Sequence, residues 1–423
     1  MSDALQARGE APLRAATKDW FRDTVFVLGP FPVLSQTFIY RELDAMAELG
    51  LDVQVLSTGP REPADMRLSD TLRAVQDDAT YFDYRSAREV VSLAAGLASA
   101  EGRRTLRWMM RFPHRTAGKR ARAAAAVLVA AHFAPELADR GIRYVHSQFA
   151  GFQTEIAMSL SHMLGVPYGC TWHAYGIYRD RNILEEKIAG ARTIITCTRH
   201  NVEHLQSICP ESRDRIHLAY HGLNLDRIPQ PTPIAGEGRP IILAVGRLIA
   251  KKGFACLVDA ASILQRSGRI FELRFIGDGP ERQALQSQVT RLGLKGLVHF
   301  VGDQPNAAVF AQMAAARVVA APSVVTAQGD MDGLPNVVLE AMSMGRPVVG
   351  SRVSGIPEVV IPGETGFLVE PGDAADLSDK LGLVLDDSKL AAELGHRGRE
   401  RVLRDFDIKR NVRKVIDAIT GIE

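Results

Sequence analysis

Two α/β domains, each a parallel sheet covered by helices on both faces, are predicted for this chain by three observations. It has 423 residues, enough for two cores of ordinary size. From residue 24 onward, short apolar and often β-branched runs alternate with longer stretches of helical periodicity. The alternation stops once, over residues 229–240, and then restarts. A hydrophobic fraction of 46%, a charged fraction of 24% and a mean hydropathy of -0.03 belong to a globular chain and exclude a disordered or fibrous one. The net charge of +2 favours no class of partner. Cys170, Cys197, Cys209 and Cys256 lack CxxC spacing, so neither a disulfide framework nor a structural zinc site is expected, and a cytoplasmic location is.

The elements follow in order. Residues 25–29 read as the first strand, 37–49 as its helix and 53–56 as the second strand, and 144–146, 168–172, 193–196 and 216–219 continue that sheet. Residues 229–240 hold four prolines and two glycines without periodicity, which describes an extended linker. Beyond it, 241–245, 272–276, 297–301, 317–320 and 347–351 are strand-like, with helical segments such as 254–265 and 281–292 between them. The expected organisation is a flexible tail over 1–20, a Rossmann-like domain over 21–228, the linker, a second Rossmann-like domain over 241–400, and a terminal helix over 401–423. That helix has apolar residues at Ile408, Val412, Val415 and Ile419. Two such sheets on a stiff linker face each other across a cleft, and open α/β sheets bind ligands at the carboxyl ends of their strands.

Residues 81–141 read as a helical insertion in the first domain. Between Arg103 and Arg122, both included, there are eight basic residues and no acidic one, interleaved with Trp108, Met109, Met110 and Phe112. A solvated helical face is one reading. Docking on an anionic membrane surface is the other, each basic residue there adding ~1 kcal/mol. Nucleic acid is not expected, because no recognised module surrounds the run. The N-terminus lacks a signal-peptide core. The apolar run 123–134 is shorter than the ~20 residues a membrane span needs, so no transmembrane segment is expected.

The chemistry concentrates after residues 317–320. There the chain reads Met331-Asp332-Gly333-Leu334-Pro335-Asn336-Val337-Val338-Leu339-Glu340, then Ala341 to Gly345. Pro335 suits a first helical position and Gly345 a C-terminal cap, which predicts a helix from about 335. Its free N–H groups and positive dipole end would offer a phosphate site. Leu334, Val338 and Met342 form an apolar stripe, leaving Glu340 as the charged residue of the helix. A buried carboxylate needs hydrogen-bond donors or a cation. At ~1.5 Å rise per residue, Glu340 lies about 7 Å from the helix start, a separation that fits a diphosphate and a ribose. Asp332, so close to a diphosphate, would sooner accept from sugar hydroxyls. The plainer alternative is an N-cap aspartate and a glutamate satisfied by a buried arginine. Gly246-Arg247 and Lys251-Lys252-Gly253 supply cations at the start of the second domain, arginine as a bidentate fork and lysine as a point charge.

Taken together, Gly246-Arg247…Lys252-Gly253, Ile276-Gly-Asp-Gly-Pro280, Asp332-Gly-Leu-Pro-Asn…Glu340, Gly345-Arg-Pro-Val-Val349, Gly355-Ile-Pro-Glu358 and Gly366-Phe-Leu-Val369 resemble the family 4 glycosyltransferases of the GT-B fold. The resemblance implies that Gly246, Arg247, Lys252, Gly333, Leu334, Pro335, Asn336 and Glu340 bind a nucleotide-sugar donor. Arg247 and Lys252 would hold the diphosphate, Glu340 the ribose and Asp332 the sugar. The family usually has glutamate where Asp332 stands, so the donor sugar is left open. Gly29 to Glu42 is similar to the first loop and helix of members that build bacterial exopolysaccharides, including colanic-acid-type enzymes. By that analogy Ser35, Gln36 and Thr37 lie near the acceptor, with Ser35 alternatively a helix cap. A histidine such as His173 often reaches the donor sugar in this family, although a lone histidine is more often structural. Asn224 and Asp226 would belong to the hinge, and the last helix would cross back to the first domain.

The activity so implied is retaining transfer of a hexose from a UDP- or GDP-linked donor to a glycan or polyprenyl-linked acceptor, with catalytic roles for Arg247, Lys252, Asp332 and His173. No cofactor and no metal are expected. Asp330-Met-Asp332 could read as a metal-binding DxD element, but such elements belong to a different, single-sheet fold. The alternative activity is epimerisation of a nucleotide sugar on the same fold. A two-carboxylate hydrolase and a non-catalytic binding protein are more distant rivals. The location expected is the cytoplasm, or the inner face of its membrane as a peripheral protein.

Overall fold

The computed structural model describes residues 13–32, 37–61, 69–234 and 238–421. The first sheet comprises β1 (Thr24–Leu28), β2 (Gln54–Ser57), β3 (Thr80–Tyr81), β4 (Tyr144–Gln148), β5 (Tyr168–Trp172), β6 (Thr193–Thr196) and β7 (Ile216–Leu218), in the order β3-β2-β1-β4-β5-β6-β7. The second comprises β8 (Ile241–Val245), β9 (Glu272–Ile276), β10 (Val298–Gly302), β11 (Val318–Ala321), β12 (Val348–Ser351) and β13 (Gly366–Val369), in the order β10-β9-β8-β11-β12-β13. Neighbouring strands pair in parallel throughout, with Val25 opposite both Gln54 and Val145, and Ala244 opposite Phe275. Each sheet winds outward one way from its first strand and then the other way, the doubly wound pattern that leaves a crevice at the carboxyl edge. Val25, Phe26, Val27, Ile242, Leu243 and Ala244 are buried because helices cover both faces.

Three details depart from the expectations. The tail does not extend to residue 20: Ala15–Arg22 is a helix, because Phe21 is buried against Phe26 and Trp20 packs on Tyr144. Two strands, β3 and β13, were not among those expected. The first is two residues long, and the second opens on Gly366, where a side chain would run into Val348. The helix expected from Pro335 begins at Asn336, with Pro335 as its N-cap and Gly345 in the left-handed region just beyond its end.

The insertion is a set of helices, Ala87–Ala98, Ala100–Met109 and Ala117–Asp139. Part of its basic run neutralises buried acids. Arg122 pairs with Glu155 at 2.6 Å and also with Asp180, Lys119 meets Asp180 at 2.7 Å, and the fully buried Lys187 reaches the same Glu155 at 3.0 Å. Trp108 stacks on His162, and Met109 is buried. Arg107, Arg111, Arg115 and Arg120 remain exposed. Among the described residues, Ala117–Asp139 is the one helix long and apolar enough to cross a membrane, and its Ala126, Val127, Ala130, Phe133 and Leu137 are buried in the core of the first domain.

The chain returns to the first domain through a backbone exchange: Leu223 N–H donates to Phe406 O at 2.9 Å, and Ile408 N–H donates to Leu223 O at 3.0 Å. Gly222 makes that approach attainable, since a Cβ there would stand 2.3 Å from Ile408 Cα. The last helix, Ile408–Thr420, is capped by Asp407 and buries Ile408, Val412, Val415, Ile416 and Ile419 with Phe21, Leu43 and Met46. Arg346 pins the linker to the second domain by donating to Thr232 O at 2.8 Å.

Candidate active site in the interdomain cleft

Loops at the carboxyl ends of both sheets meet. From the first domain come His173 after β5, Cys197 and Thr198 after β6, and His221 after β7; from the second come the loop after β8 and the segment leading from β11 into the helix Asn336–Ser343. The two sets touch closely. A Cβ on Gly333 would lie 3.7 Å from Cys197 Sγ, and one on Gly355 would lie 2.5 Å from Thr198 Cγ2. Glu358 caps the N-terminus of the helix Arg199–Ile208, accepting from the Arg199 and His200 N–H groups at 2.8 and 3.1 Å and from the Tyr220 hydroxyl at 2.8 Å.

In the second domain the loop Gly246–Gly253 folds back so that the Lys252 side chain crosses Gly246, whose φ of 148° belongs to glycine and whose missing Cβ would stand 3.2 Å from Lys252 Cε. Lys252 Nζ then lies 2.9 Å from Asp332 Oδ2, and Ser323 Oγ donates to the same oxygen at 3.0 Å. Lys251 Nζ bridges Asp330 at 3.2 Å and Asp332 at 3.7 Å, so both carboxylates of Asp330-Met-Asp332 already have a cation. Arg247 stands exposed at the end of β8, with no ion-pair partner among the described residues. The helix Asn336–Ser343 has no side-chain cap, and Val338, Leu339, Ala341 and Met342 bury one face of it while Gly333, Asn336, Val337 and Glu340 are partly exposed.

Glu340 meets an arginine after all. Arg41, on the helix Thr37–Glu48 of the first domain, donates Nη2 to Glu340 Oε1 at 2.9 Å. This is the plainer alternative for Glu340, although the pair is partly exposed and uses one carboxylate oxygen. Arg41 carried no role in the sequence reading, and only its place in the segment Gly29 to Glu42 pointed to it.

Behind Arg41 runs a buried polar chain. Gln148 Nε2 donates to Glu42 Oε1 at 2.9 Å, Gln148 Oε1 lies 3.2 Å from His173 Nε2, and His173 Nδ1 lies 3.1 Å from His221 Nε2. Phe38 covers both imidazoles, its ring 4.5 Å from His173 and 4.8 Å from His221. Burial pushes the Glu42 carboxyl up to about 7, against the hydrogen bond from Gln148. Burial, then the nearby His221, holds His173 well below the ordinary histidine range; burial, then the Arg41 charge, holds His221 down to about 4. Both imidazoles are therefore neutral at pH 7. Both ring nitrogens of His173 are engaged, so contact with a donor sugar would require one of them to exchange its partner. Ser35 and Gln36 lie outside the described residues, as does the side chain of Thr37.

Two doubly wound sheets facing each other across a shared cleft define a GT-B architecture. Over residues 229–401 the chain matches the family described as glycosyl transferases group 1. It is 35% identical over 217 residues to the putative colanic acid biosynthesis glycosyltransferase WcaL of Escherichia coli K12, covering 50% of this chain and 52% of that one. The matched stretch thus spans about half the length of that relative. It is 28% identical over 364 residues to the amylovoran biosynthesis glycosyltransferase AmsK of Erwinia amylovora, covering 82% and 87%. In fold it is similar to sucrose-phosphate synthase from Thermosynechococcus elongatus (TM-score 0.69, 19% identity, 93% of this chain and 97% of that one) and to Anabaena HepE in complex with UDP (TM-score 0.69, 16% identity, 94% and 100%).

Proposed function

We propose that this protein transfers a hexose, with retention of configuration, from a UDP- or GDP-linked donor to a saccharide or lipid-linked saccharide acceptor in the synthesis of a cell-surface glycan. The observation that carries the reading is the pairing of Lys252 with Asp332 and of Arg41 with Glu340. Each carboxylate expected to accept from the donor's hydroxyls is held by a cation beside the site expected for phosphate. A diphosphate draws Lys252 away from Asp332, and Asp332 is then free to accept from the sugar. Ribose hydroxyls replace Arg41 at Glu340. Arg247 closes on the diphosphate from its exposed position, and the Asn336 end of the helix adds its dipole.

Leaving-group departure is then stabilised by charges fixed in a cleft that excludes water, and a diphosphate oxygen takes the acceptor proton. No metal and no cofactor enter this scheme. The relatives named above are named for transfer, which supports it over epimerisation. HepE, described with UDP and with UDP-glucose, supports a nucleotide-sugar donor. The exposed Arg107, Arg111, Arg115 and Arg120 face an anionic membrane where a lipid-linked acceptor would reside.

The test is a panel of UDP- and GDP-hexoses with bacterial lipid extract as acceptor, monitored for nucleoside diphosphate release. Release that depends on acceptor and disappears in Glu340→Ala is expected. Sugar interconversion without acceptor would overturn the reading.

A further inference from the structure

We propose that His173, Cys197 and His221 form a binding site for a zinc ion at the floor of the cleft, with the fourth position of the ion turned towards Gly333. The three residues follow β5, β6 and β7, three adjacent strands of one rigid sheet. Their ligand atoms all lie within 4.8 Å of one another, and His173 Nδ1 and His221 Nε2 are 3.1 Å apart. An ion with ~2.0–2.1 Å bonds to nitrogen and ~2.3 Å to sulfur, in tetrahedral geometry, holds its ligand atoms ~3.3–3.6 Å apart. Closing on the ion would draw the widest pair together by at most ~1.5 Å and part the two histidine nitrogens slightly. Two imidazoles and one thiolate suit zinc and disfavour magnesium or calcium, which take oxygen.

The surroundings fit. His173 Nε2 donates to Gln148 Oε1 at 3.2 Å, and Gln148 is itself fixed by Glu42 at 2.9 Å, so the ring is oriented with Nδ1 as its lone-pair nitrogen. Phe38 lies over both rings and limits access to the cleft side. Loading is a ligand exchange that balances. The hydrogen bond between the two histidines breaks, His221 moves its proton from Nε2 to Nδ1, Cys197 releases its thiol proton to solvent, and two N–Zn bonds and one S–Zn bond form. The ion would lie beside Gly333, since a Cβ on Gly333 would be 3.7 Å from Cys197 Sγ. Bound zinc would then obstruct the donor sugar. That consequence rests on the proposed function, whereas the binding does not.

The experiment uses the full chain, stripped of metal with a chelator and titrated with ZnCl2 and, for spectroscopy, with CoCl2. One equivalent of each metal is expected to bind, the cobalt form showing a thiolate-to-cobalt charge-transfer band and the intense visible bands of four-coordinate cobalt. Cys197→Ser should abolish the charge-transfer band and weaken zinc at least tenfold, and His221→Gln should weaken zinc to a similar degree. Cys256→Ser, in the other domain, should change neither, and thermal melting confirms that each variant is folded. No saturable binding, or an unchanged band in Cys197→Ser, overturns the site. Zinc is further expected to raise the apparent KM for the donor in the natural chain and not in Cys197→Ser; bound zinc that leaves nucleoside diphosphate release untouched overturns the obstruction. If no donor releases a nucleoside diphosphate, the cobalt spectrum still decides the site.

Discussion

Arg41 and Glu340 join the two domains at 2.9 Å through one nitrogen and one oxygen, while the other terminal nitrogen of the guanidinium, Nη1, is buried with no acceptor among the described residues. An arginine so placed balances the charge of Glu340 and leaves its own hydrogen bonding incomplete. The pair is therefore suited to exchange. Glu340→Gln should lower kcat/KM for the donor by roughly 10- to 100-fold, since hydrogen bonds to a charged acceptor contribute ~1.5–3 kcal/mol. Arg41→Met should lower the melting temperature and leave the donor KM unchanged or smaller, because the donor no longer displaces a cation. A tenfold increase in that KM would instead make Arg41 a ligand of the nucleotide.

The second ion pair gives a different pattern. Lys252 serves Asp332 in the free protein and the diphosphate in the proposed complex, so Lys252→Ala removes a phosphate contact and leaves Asp332 to Lys251 and Ser323. A loss of about 100-fold in kcat/KM is expected, in line with the removal of one preorganised electrostatic contact. Asp332→Asn should retain diphosphate binding, measured as product inhibition by the free nucleoside diphosphate, and lose turnover. Equal losses of both quantities would show that Asp332 acts only by holding Lys252.

The fold was legible because strand runs such as Ile241–Val245 and Val318–Ala321 are apolar on both faces and alternate with helical periods, a local property of the chain. The second-domain half of the site was legible for a similar reason: Lys252, Asp332 and Glu340 belong to segments whose glycines and proline fix the turns around them. In the first-domain half His173 could be singled out, but its partners could not. Glu42, Gln148, His173 and His221 come from four separate elements, and nothing in the spacing of a glutamate at 42 and a glutamine at 148 reveals a hydrogen bond across the sheet. Arg41 and Glu340 are 299 residues apart, and their pairing depends on how the two domains dock.

The buried Glu42 makes a prediction about pH. Its carboxyl titrates at about 4.5 in an unfolded chain and near 7 in the fold. A raised folded value stabilises the protein fully below the unfolded value and loses that contribution as pH climbs towards 7. At a conversion of ~1.4 kcal/mol per unit the loss is roughly 3 kcal/mol as an upper bound. Glu42→Gln keeps an acceptor for Gln148 and cannot ionise. Its stability should exceed that of the natural chain at pH 8, with the difference shrinking to nothing at pH 4.5. The acid-side loss caused by His173 and His221, which must protonate below 6.5 on unfolding, should be common to both proteins. Urea melts at pH 4.5, 6 and 8 measure it, and a constant difference across that range would show that Glu42 is ionised throughout.

Glu358 tests whether the two domains act as one unit. Its carboxylate sits on the second domain but satisfies two N–H groups at the start of the helix Arg199–Ile208 on the first, where the helix dipole favours an anion. Tyr220 donates to it as well, so three hydrogen bonds cross between the domains through one side chain. Thr198 caps the same helix by accepting from Asn201 N–H, which keeps the helix itself intact when Glu358 is changed. Glu358→Ala should therefore cost about 1–2 kcal/mol, as a lost cap does, and the cost should appear as separation of the domains. The natural chain should melt in one transition, and the variant in two or in a broader one. In small-angle scattering the variant should have a larger radius of gyration. A variant that melts in one sharp transition at a lower temperature, with an unchanged radius, would show that the Leu223 and Ile408 backbone exchange couples the domains without Glu358.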